Sequence, residues 1–268
     1  MIYMFSGTPG AGKSLDVART IKIWLNRKKR VISTMNVDTR LCFLNFVSKF
    51  IFELTRGKVL IFDTENPLAK NFTYINIYEV TPDFLIEYAI THHKKGVEKQ
   101  TLIVLDECVS IFSPEKCVGQ FWLEWQHFFQ YHRHLGFEVI LVPQSTALLA
   151  RKVKEFAEFE VRHRAMKNAN LFMTIVSKLF GGIFTTKTYW QGSSSKKHID
   201  KEWFRYHYYF NKMYDSYCMF DELKEQYYAE IKAKNKKPKS LTMKQKLIVE
   251  LCNTLNSRIT EISKESGD

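Results

Sequence analysis

The residues best suited to chemistry stand close to the amino terminus, in a short glycine-rich segment that ends in a lysine and a serine. Residues 7–14 read Gly-Thr-Pro-Gly-Ala-Gly-Lys-Ser and match the phosphate-binding pattern G-x-x-x-x-G-K-[ST] at every fixed position. Such a loop turns backbone N–H groups and the start of a helix towards an anion. The segment therefore predicts a binding site for the phosphates of a nucleoside triphosphate. The predicted contact residues are Gly7, Thr8, Pro9, Gly10, Ala11, Gly12, Lys13 and Ser14.

The two polar residues at the end of this loop have separate expected roles. The Lys13 ammonium group is expected to reach the β- and γ-phosphates, and the Ser14 hydroxyl is expected to bind Mg²⁺. An apolar run, Met1–Phe5, directly precedes the loop and predicts a buried strand, and helical sequence follows from Lys13 to Lys29. Strand, loop and helix in that order are the context in which the pattern binds phosphate. A chance glycine turn is the alternative.

A second candidate site stands at two adjacent carboxylates, Asp106 and Glu107. The preceding run, Thr101–Leu105, is apolar after its first residue and too short for a helix, so it predicts a strand buried on both faces. Asp106 at the end of this strand is expected to hold Mg²⁺, directly or through water. Glu107 is expected to polarise a water molecule for attack on the γ-phosphate. A plain strand-to-loop junction is the alternative, and the upstream loop favours the functional interpretation.

A third segment adds a polar residue at another strand end. A helix predicted over residues 121–134 ends in a basic cluster, the chain turns at Gly136, and the apolar run Glu138–Val142 predicts a buried strand that is followed by Pro143 and Gln144. We expect Gln144 to lie beside the Asp106 strand, with its amide within reach of the γ-phosphate or the attacking water. The alternative is a strand-end residue that bonds a loop backbone.

Composition fits a globular α/β protein, and its charge is compatible either with an anionic partner or with a basic chain that is merely soluble. Hydrophobic residues make up 45% of the 268 residues, and the formal net charge is +12. Such a charge fits nucleic acid or an acidic membrane surface. The five cysteines lack C-x-x-C spacing, which is typical of reduced thiols rather than metal ligands. Because the sequence has no clean apolar stretch of about 18 residues, we expect no transmembrane segment.

The pattern of apolar residues predicts a largely parallel central sheet flanked by helices, with a small β and helical extension towards the carboxyl terminus. We predict a P-loop domain over residues 1–217 and a basic helical tail over residues 218–268. The tail contains the basic linker Lys232–Lys239 and an amphipathic segment from Met243 to Ile262. This combination is interpreted either as a docking element for DNA phosphates or a partner helix, or as a solvated terminal helix folded back on its own domain. Further strands are predicted at Val31–Thr34, Val59–Phe62, Tyr74–Ile77, Val161–Arg164 and Thr185–Trp190, and further helices at residues 41–54, 82–90 and 151–159.

Taken together, these motifs resemble the zonula occludens toxin-like (Zot) family, which includes the assembly ATPases of filamentous phages. The resemblance rests on Gly7–Ser14, on Leu102–Glu107, on the turn Arg133–Gly136 with Glu138–Gln144 behind it, and on Tyr214–Ser216. It covers residues 1–217. The loop and the Asp-Glu strand occur in many nucleotide-binding proteins, whereas the Arg-His-x-Gly turn before a strand that ends in glutamine is more specific.

The resemblance implies a motor that uses ATP and Mg²⁺ to extrude or package single-stranded phage DNA, working as a homo-oligomeric ring with assembly or secretion proteins. It places the chain in the cytoplasm, at the cytoplasmic face of a bacterial inner membrane. Familiar members carry a transmembrane helix after the ATPase domain and a periplasmic tail. This sequence shows neither, so we expect membrane association only through partners or through the basic surface.

The resemblance also suggests Arg133 as a catalytic residue. Ring ATPases commonly complete the site with an arginine from the neighbouring subunit, which stabilises charge during phosphoryl transfer. Arg133 lies in the family-like turn, and Arg151, Arg162 and Arg164 are alternatives on the far side of the Gln144 strand. Arg133 could instead cap its own helix or pair with a carboxylate.

Two other functions remain compatible with the sequence. A nucleoside or small-molecule kinase would use the same loop, but it needs an acceptor pocket and an arginine-rich lid, and neither is visible in the sequence. A non-hydrolysing, nucleotide-gated adaptor of a secretion channel would bind ATP without turnover. The acidic Glu107 beside Asp106 favours hydrolysis over transfer to a small acceptor.

Overall fold

The computed structural model describes residues 1–58, 66–168, 174, 182–192 and 197–214. The described chain up to Tyr214 belongs to one compact unit. Two expectations lie outside these residues: the strand Val59–Phe62 and the tail 218–268. The division at residue 217 therefore stays a prediction.

The described strands form one twisted sheet whose greater part is parallel. Its strands are β1 Ile2–Ser6, β2 Arg30–Ser33, β3 Phe72–Tyr74, β4 Thr101–Asp106, β5 Phe137–Val142, β6 Phe159–Ala165, β7 Ile183–Trp190 and β8 Asp200–Arg205. They lie in the order β3-β2-β4-β5-β1-β6-β7-β8. The first six are parallel, β7 is antiparallel to β6, and β8 is antiparallel to β7. The predicted α/β fold with a largely parallel sheet is confirmed.

Helices cover both faces of this sheet. They are α1 Lys13–Asn26, α2 Thr39–Cys42, α3 Phe46–Leu54, α4 Pro82–His92, α5 Val109–Phe112, α6 Gly119–Tyr131, α7 Arg151–Phe156 and α8 Tyr208–Met213. One hydrophobic core joins the sheet to α4, α5, α6 and α7, and a second joins it to α1, α2, α3 and α8. Along β4, Ile103 and Leu105 belong to the first core while Leu102 and Val104 belong to the second, because successive side chains of a strand point to opposite faces. The strand is apolar from Leu102 to Leu105 for this reason.

Parallel strands bring their carboxyl ends to one edge of the sheet. β1 and β4 lie on either side of β5, and β6 lies on the other side of β1. The loops that follow these four strands therefore meet at the same edge, which in open α/β sheets is the edge that binds ligands. We call it the carboxyl edge.

The structure corrects several predicted elements. The helix expected over residues 41–54 is two helices, α2 and α3. Asn45 interrupts the pattern because its side-chain Oδ1 accepts a hydrogen bond of 2.7 Å from the Ser48 N–H and starts a new helix. The strand expected at Tyr74–Ile77 lies at Phe72–Tyr74. β8 was not predicted, because five of its six residues are exposed and it lacks the alternation of a half-buried strand.

In the described part of the chain, no helix combines the length and the apolar character that crossing a bilayer requires.

Candidate nucleotide-binding site

The glycine-rich loop connects β1 to α1 at the carboxyl edge. Its backbone turns back on itself where the Ala11 N–H donates to the Thr8 carbonyl over 3.0 Å. Gly12 then precedes α1 with a φ of 94°, in the left-handed region that glycine adopts without strain. The strand, loop and helix that the sequence predicts are all present, and the N–H groups at the start of α1 face the same edge.

The Lys13 side chain folds back over this loop. Its Nζ donates a hydrogen bond of 2.7 Å to the Gly7 carbonyl oxygen. Burial lowers the Lys13 pKa, and the nearby Asp106 carboxylate partly offsets this effect. A bound phosphate would offer the ammonium group a stronger partner than a neutral carbonyl.

Gly7 allows β1 and β6 to approach closely at the start of the loop. Its φ is 145°, and a Cβ built there would lie 2.6 Å from the backbone carbonyl oxygen of His163 in β6. At Gly12 a Cβ would lie 2.7 Å from the Phe184 ring of β7. The glycine-rich loop is thus packed against β6 and β7, the two strands next to β1 in the order of the sheet.

A Gly7→Ala substitution is expected to destabilise the unliganded protein by about 2–4 kcal/mol, because both the backbone conformation and the neighbouring strand must give way. Gly10→Ala is the matched control: its φ of 73° is also left-handed, but no atom lies within 4 Å of the added Cβ. We expect the control to cost about 1 kcal/mol. Denaturant unfolding without nucleotide measures both, and equal losses would contradict the close packing at Gly7.

Asp106 ends β4 next to the loop, and Thr34 anchors it there. The Asp106 N–H donates to Thr34 Oγ1 over 2.8 Å, and this hydroxyl lies 3.3 Å from the Asp106 carbonyl oxygen. Thr34 follows β2, which is the neighbour of β4 in the sheet. This role of Thr34 was not predicted from the sequence. The sequence does show a hydroxyl residue directly after a predicted buried strand. Its contact with Asp106 could be predicted only if the order of the strands in the sheet were known.

The pKa of the Asp106 carboxyl group is raised above its ordinary value. Burial raises its pKa to about 6, the hydrogen bond from the Glu107 N–H lowers it, the Glu107 carboxylate raises it, and Lys13 lowers it. A partly buried carboxylate of this kind gains from a nearby cation. Together with the Ser14 hydroxyl at the start of α1 it offers the hard oxygen ligands that Mg²⁺ prefers. The residues present therefore fit the predicted magnesium site.

Asp106→Asn is expected to stabilise the unliganded protein while it removes a magnesium ligand. The folded-state pKa of about 6 lies above the ordinary value of 3.8, so ionising Asp106 costs folding free energy at neutral pH. We expect the variant to gain about 1–3 kcal/mol at pH 7.5. The gain should shrink as the pH falls through about 6 and vanish below 3.8, where wild-type Asp106 is protonated in both states. Urea unfolding at several pH values checks this, and a gain that does not depend on pH would contradict it.

Glu107 and Gln144 meet just beyond Asp106. Gln144 Nε2 donates to Glu107 Oε1 over 3.2 Å, so the strand-end amide bonds a carboxylate rather than a loop backbone. Glu107 has a φ of 52°, a conformation that non-glycine residues rarely adopt. Backbone strain of this kind is commonly found where a side chain must be held for function. The structure thus brings Glu107 and Gln144 together with Asp106.

Within the same chain, Arg133 is distant from Asp106, Glu107 and Gln144. It precedes β5, and therefore sits at the amino edge of the sheet, opposite the glycine-rich loop. Its guanidinium group pairs with Glu98 at 3.3 Å, and half of its side chain is exposed (49%). The pairing with a carboxylate is one of the alternatives that the sequence left open. Within one subunit, Arg133 cannot reach a nucleotide at the carboxyl edge.

The other candidate arginines lie elsewhere. Arg162 is paired with Ser6 in the β6–β1 register, next to the loop. Its guanidinium bonds Glu160 Oε2 at 2.8 Å and lies over the Tyr189 ring, while the Ser6 hydroxyl donates to Glu160 Oε1 over 2.7 Å. Arg164 follows Arg162 on the same strand. Arg151 begins α7 and pairs with Glu155. Among these, Arg162 and Arg164 are nearest to the loop by register.

A buried pair that the sequence did not reveal braces the first turn of α1. The fully buried His163 side chain places Nε2 3.0 Å from Asp16 Oδ2, and its Nδ1 donates to the Val161 carbonyl over 3.0 Å. Asp16 lies two residues after Ser14. The end of β6 therefore holds the helix that carries Lys13 and Ser14, by a contact between residues far apart in sequence.

A parallel sheet with this loop after β1, a carboxylate at the end of β4 and a polar residue beyond β5 defines a P-loop NTPase. The chain belongs to the zonular occludens toxin (Zot) family, whose sequence model matches residues 1–217. The predicted family resemblance is confirmed. A comparison with curated proteins found no significant match.

Several solved structures are similar in fold. The N-terminal domain of zonular occludens toxin from Neisseria meningitidis is 12% identical, with a TM-score of 0.43 over 80% of this chain and 98% of that one. The genome packaging NTPase B204 from Sulfolobus turreted icosahedral virus 2, in complex with ATP-gammaS, is 15% identical, with a TM-score of 0.42 over 74% and 96%. The flagellar accessory protein FlaH from Methanocaldococcus jannaschii is 15% identical, with a TM-score of 0.44 over 76% and 84%.

Proposed function

We propose that this protein hydrolyses ATP and couples the reaction to the movement or assembly of single-stranded DNA. The observation that carries the hydrolytic part is the contact between Gln144 and Glu107, one residue beyond Asp106 and at the same edge as Lys13. This grouping provides a cation for phosphate, a carboxylate for a metal ion, and a second carboxylate for water.

The glycine-rich loop binds and orients the triphosphate. Its backbone N–H groups and the start of α1 face the phosphates, and Lys13 exchanges the Gly7 carbonyl for the β- and γ-phosphate oxygens. Ser14 and Asp106 would hold Mg²⁺, which when bound neutralises phosphate charge. The bracing of α1 by His163 and of Asp106 by Thr34 keeps both groups in position.

Glu107 handles the proton of the attacking water. Its carboxylate accepts a hydrogen bond from the water, whose oxygen bonds to the γ-phosphorus while the bond to the β-γ bridging oxygen breaks and ADP leaves. The water proton passes to the Glu107 carboxylate. Gln144 holds Oε1 of this carboxylate at 3.2 Å and limits its rotation. This position also lets Gln144 sense whether the γ-phosphate is present.

The coupling to DNA rests on family membership and on charge. The chain belongs to the Zot family over residues 1–217, and its net charge of +12 suits a polyanionic cargo. We further propose a homo-oligomeric ring at the cytoplasmic face of a bacterial inner membrane, held there by assembly proteins or by its basic surface. In such a ring the exposed Arg133 would act on the nucleotide of a neighbouring subunit, since it lies far from its own.

Phosphate release with and without single-stranded DNA, read together with the mass in solution, tests this proposal. We expect release to rise severalfold when DNA is added and a mass that is a multiple of the 31.7 kDa chain. Arg133→Ala should lower turnover while nucleotide binding is kept, and Arg40→Ala is a matched control because Arg40 is also exposed and ion-paired. An active enzyme that ignores DNA at every salt concentration would contradict the motor role.

A further inference from the structure

The outer three strands of the sheet, β6, β7 and β8, have one face turned towards α1 and one turned away from it. His163 of β6 bonds Asp16 of α1, and Arg19 of α1 lies over the Phe204 ring of β8. Because side chains alternate along a strand, the residues next to His163 and Phe204 in sequence lie on the opposite face. We call this second surface the basic sheet face. Its charged and aromatic members are Glu160, Arg162, Arg164, Lys187, Tyr189, Lys201, Trp203 and Arg205.

Three cations stand side by side across the basic sheet face. In the register of the sheet, Arg162 of β6 is opposite Lys187 of β7, and Lys187 is opposite Lys201 of β8. Side chains in such positions have Cβ atoms about 4.5–5.5 Å apart, and like charges placed there repel each other. The row is therefore unfavourable in the free protein, and it favours a ligand that carries several negative charges along its length.

The protein itself supplies little negative charge to offset this row. Among the residues that the three strands place on the basic sheet face, Glu160 is the one carboxylate, and its Oε2 bonds Arg162 at 2.8 Å. Glu202 of β8 lies on the other face, where it pairs with α1. In the described part of the chain, no carboxylate lies within ion-pair distance of Lys187 or Lys201. The charges of these two lysines are thus available to a partner.

Two aromatic rings support the cations at the ends of the row. The Arg162 guanidinium lies 4.4 Å from the centre of the Tyr189 ring, and Lys201 Nζ lies 4.6 Å from the centre of the Trp203 ring. Contacts of this kind hold long side chains in place without neutralising their charge. The Arg162 side chain is 57% exposed and Trp203 is 51% exposed, so a ligand can reach this surface.

The first hydrophobic core ends before the basic sheet face. On this side of the sheet the core includes Met4 of β1, and its described members include no residue of β6, β7 or β8. The row of cations also begins next to the nucleotide site, since Arg162 is paired in register with Ser6, the residue before the glycine-rich loop. A ligand on this row would therefore lie beside the site at which ATP is bound.

We propose that the basic sheet face binds the phosphodiester backbone of a single DNA strand, which crosses the three strands along the row of Arg162, Lys187 and Lys201. The assignment rests on the proposed function and names the surface that holds its cargo. Cations in line match phosphates in line, and each contact is a charge-assisted hydrogen bond. An anionic membrane fits less well, because a lipid surface also takes up exposed apolar side chains. Among the described residues of this face, Trp203 is the exposed large apolar side chain, and Lys201 already lies over its ring.

The test uses the full chain with its P-loop saturated by Mg²⁺ and a non-hydrolysable ATP analogue, so that binding is measured without turnover. One probe is a labelled oligothymidylate of about 12 nucleotides, followed by fluorescence anisotropy. The other is a vesicle that contains anionic lipid, followed by co-sedimentation. The variant is Lys187→Gln/Lys201→Gln, and Lys187→Arg/Lys201→Arg retains the charge. The control is Lys94→Gln/Lys95→Gln, which removes the same charge from an exposed loop on another part of the protein. Arg162 is left unchanged because it lies next to the glycine-rich loop.

We expect the glutamine variant to bind the oligonucleotide about tenfold or more weakly, with a salt dependence of log affinity that is smaller by about 1.4, because two phosphate contacts are lost. The arginine variant and the loop control should stay within about twofold of wild type. Removing charges that repel each other should leave the urea midpoint unchanged or raise it, which separates lost binding from lost folding. The single variant Lys187→Gln serves if the double variant does not fold.

A glutamine variant that binds the oligonucleotide as well as the loop control does overturns this inference alone. Loss of binding to the vesicles with unchanged binding to the oligonucleotide also overturns it, in favour of a membrane contact. Wild-type protein that does not bind the oligonucleotide overturns both this inference and the proposed coupling to DNA. A failure of the proposed hydrolysis would appear only in phosphate release.

Discussion

Glu107→Gln is expected to lower ATP turnover by about 10²-fold or more while Mg²⁺–ATP binding stays within a few fold of wild type. The carboxamide has nearly the same shape and its oxygen can still accept the hydrogen bond from Gln144, but it cannot take the proton of the attacking water. The nucleotide-bound state should therefore accumulate. Phosphate release gives the turnover, and a fluorescent ATP analogue gives the affinity.

The matched control for this variant is Glu155→Gln. Glu155 is an exposed glutamate that pairs with Arg151. It lies four residues before the start of β6, on the side away from the carboxyl edge, and its substitution should leave turnover unchanged. Because Glu107 has a φ of 52°, the variant must also be shown to unfold at the same denaturant concentration as wild type. A folded Glu107→Gln protein that turns over as fast as the control would remove Glu107 from the role of water-activating residue.

Lys13→Ala is expected to weaken ATP binding by about 10²-fold, equivalent to about 3 kcal/mol. The loss follows because the phosphates lose a charged hydrogen-bond donor that the structure already holds over the loop, 2.7 Å from the Gly7 carbonyl. Turnover should fall with the affinity. Isothermal titration with the ATP analogue, with and without Mg²⁺, measures this effect.

A lysine on the exposed loop, Lys95, provides the comparison for Lys13. Lys95→Ala removes the same charge without touching the phosphate loop, so it separates a local contact from the general effect of a basic protein on an anion. Stability without nucleotide should change little in either variant, since the Lys13 contact is to a neutral carbonyl. Equal affinity of the two variants for ATP would show that the glycine-rich loop does not bind the triphosphate as proposed.

The parts of the site that the sequence predicted are those whose determinants are local. The glycine-rich loop follows one strand and begins one helix within residues 1–26, so its pattern is complete in a single stretch. The run to Asp106 is apolar on both faces and needs no knowledge of its neighbours. The expectation that Gln144 would lie beside Asp106 required only that β4 and β5 be adjacent, and they are paired in the sheet.

The unpredicted parts depend on contacts between distant segments. Thr34 bonds Asp106 across 72 positions and His163 bonds Asp16 across 147, so neither pair has a signature in one stretch of sequence. The resemblance suggests Arg133 as an arginine that acts on the nucleotide of a neighbouring subunit, and only the strand direction shows that it lies at the edge opposite its own glycine-rich loop. A position in the chain indicates an edge of the sheet only after the direction of each strand is known.

The measurement that most directly tests the central claim is the fate of the γ-phosphate when the protein turns over ATP in water enriched in heavy oxygen. If Glu107 activates water for attack on phosphorus, the first phosphate released should carry one oxygen from the solvent, and no other phosphorylated product should form. Recovery of the γ-phosphate on a small acceptor, or no cleavage of ATP with Mg²⁺, DNA and partner present, would contradict the assignment of this site as an ATP hydrolase.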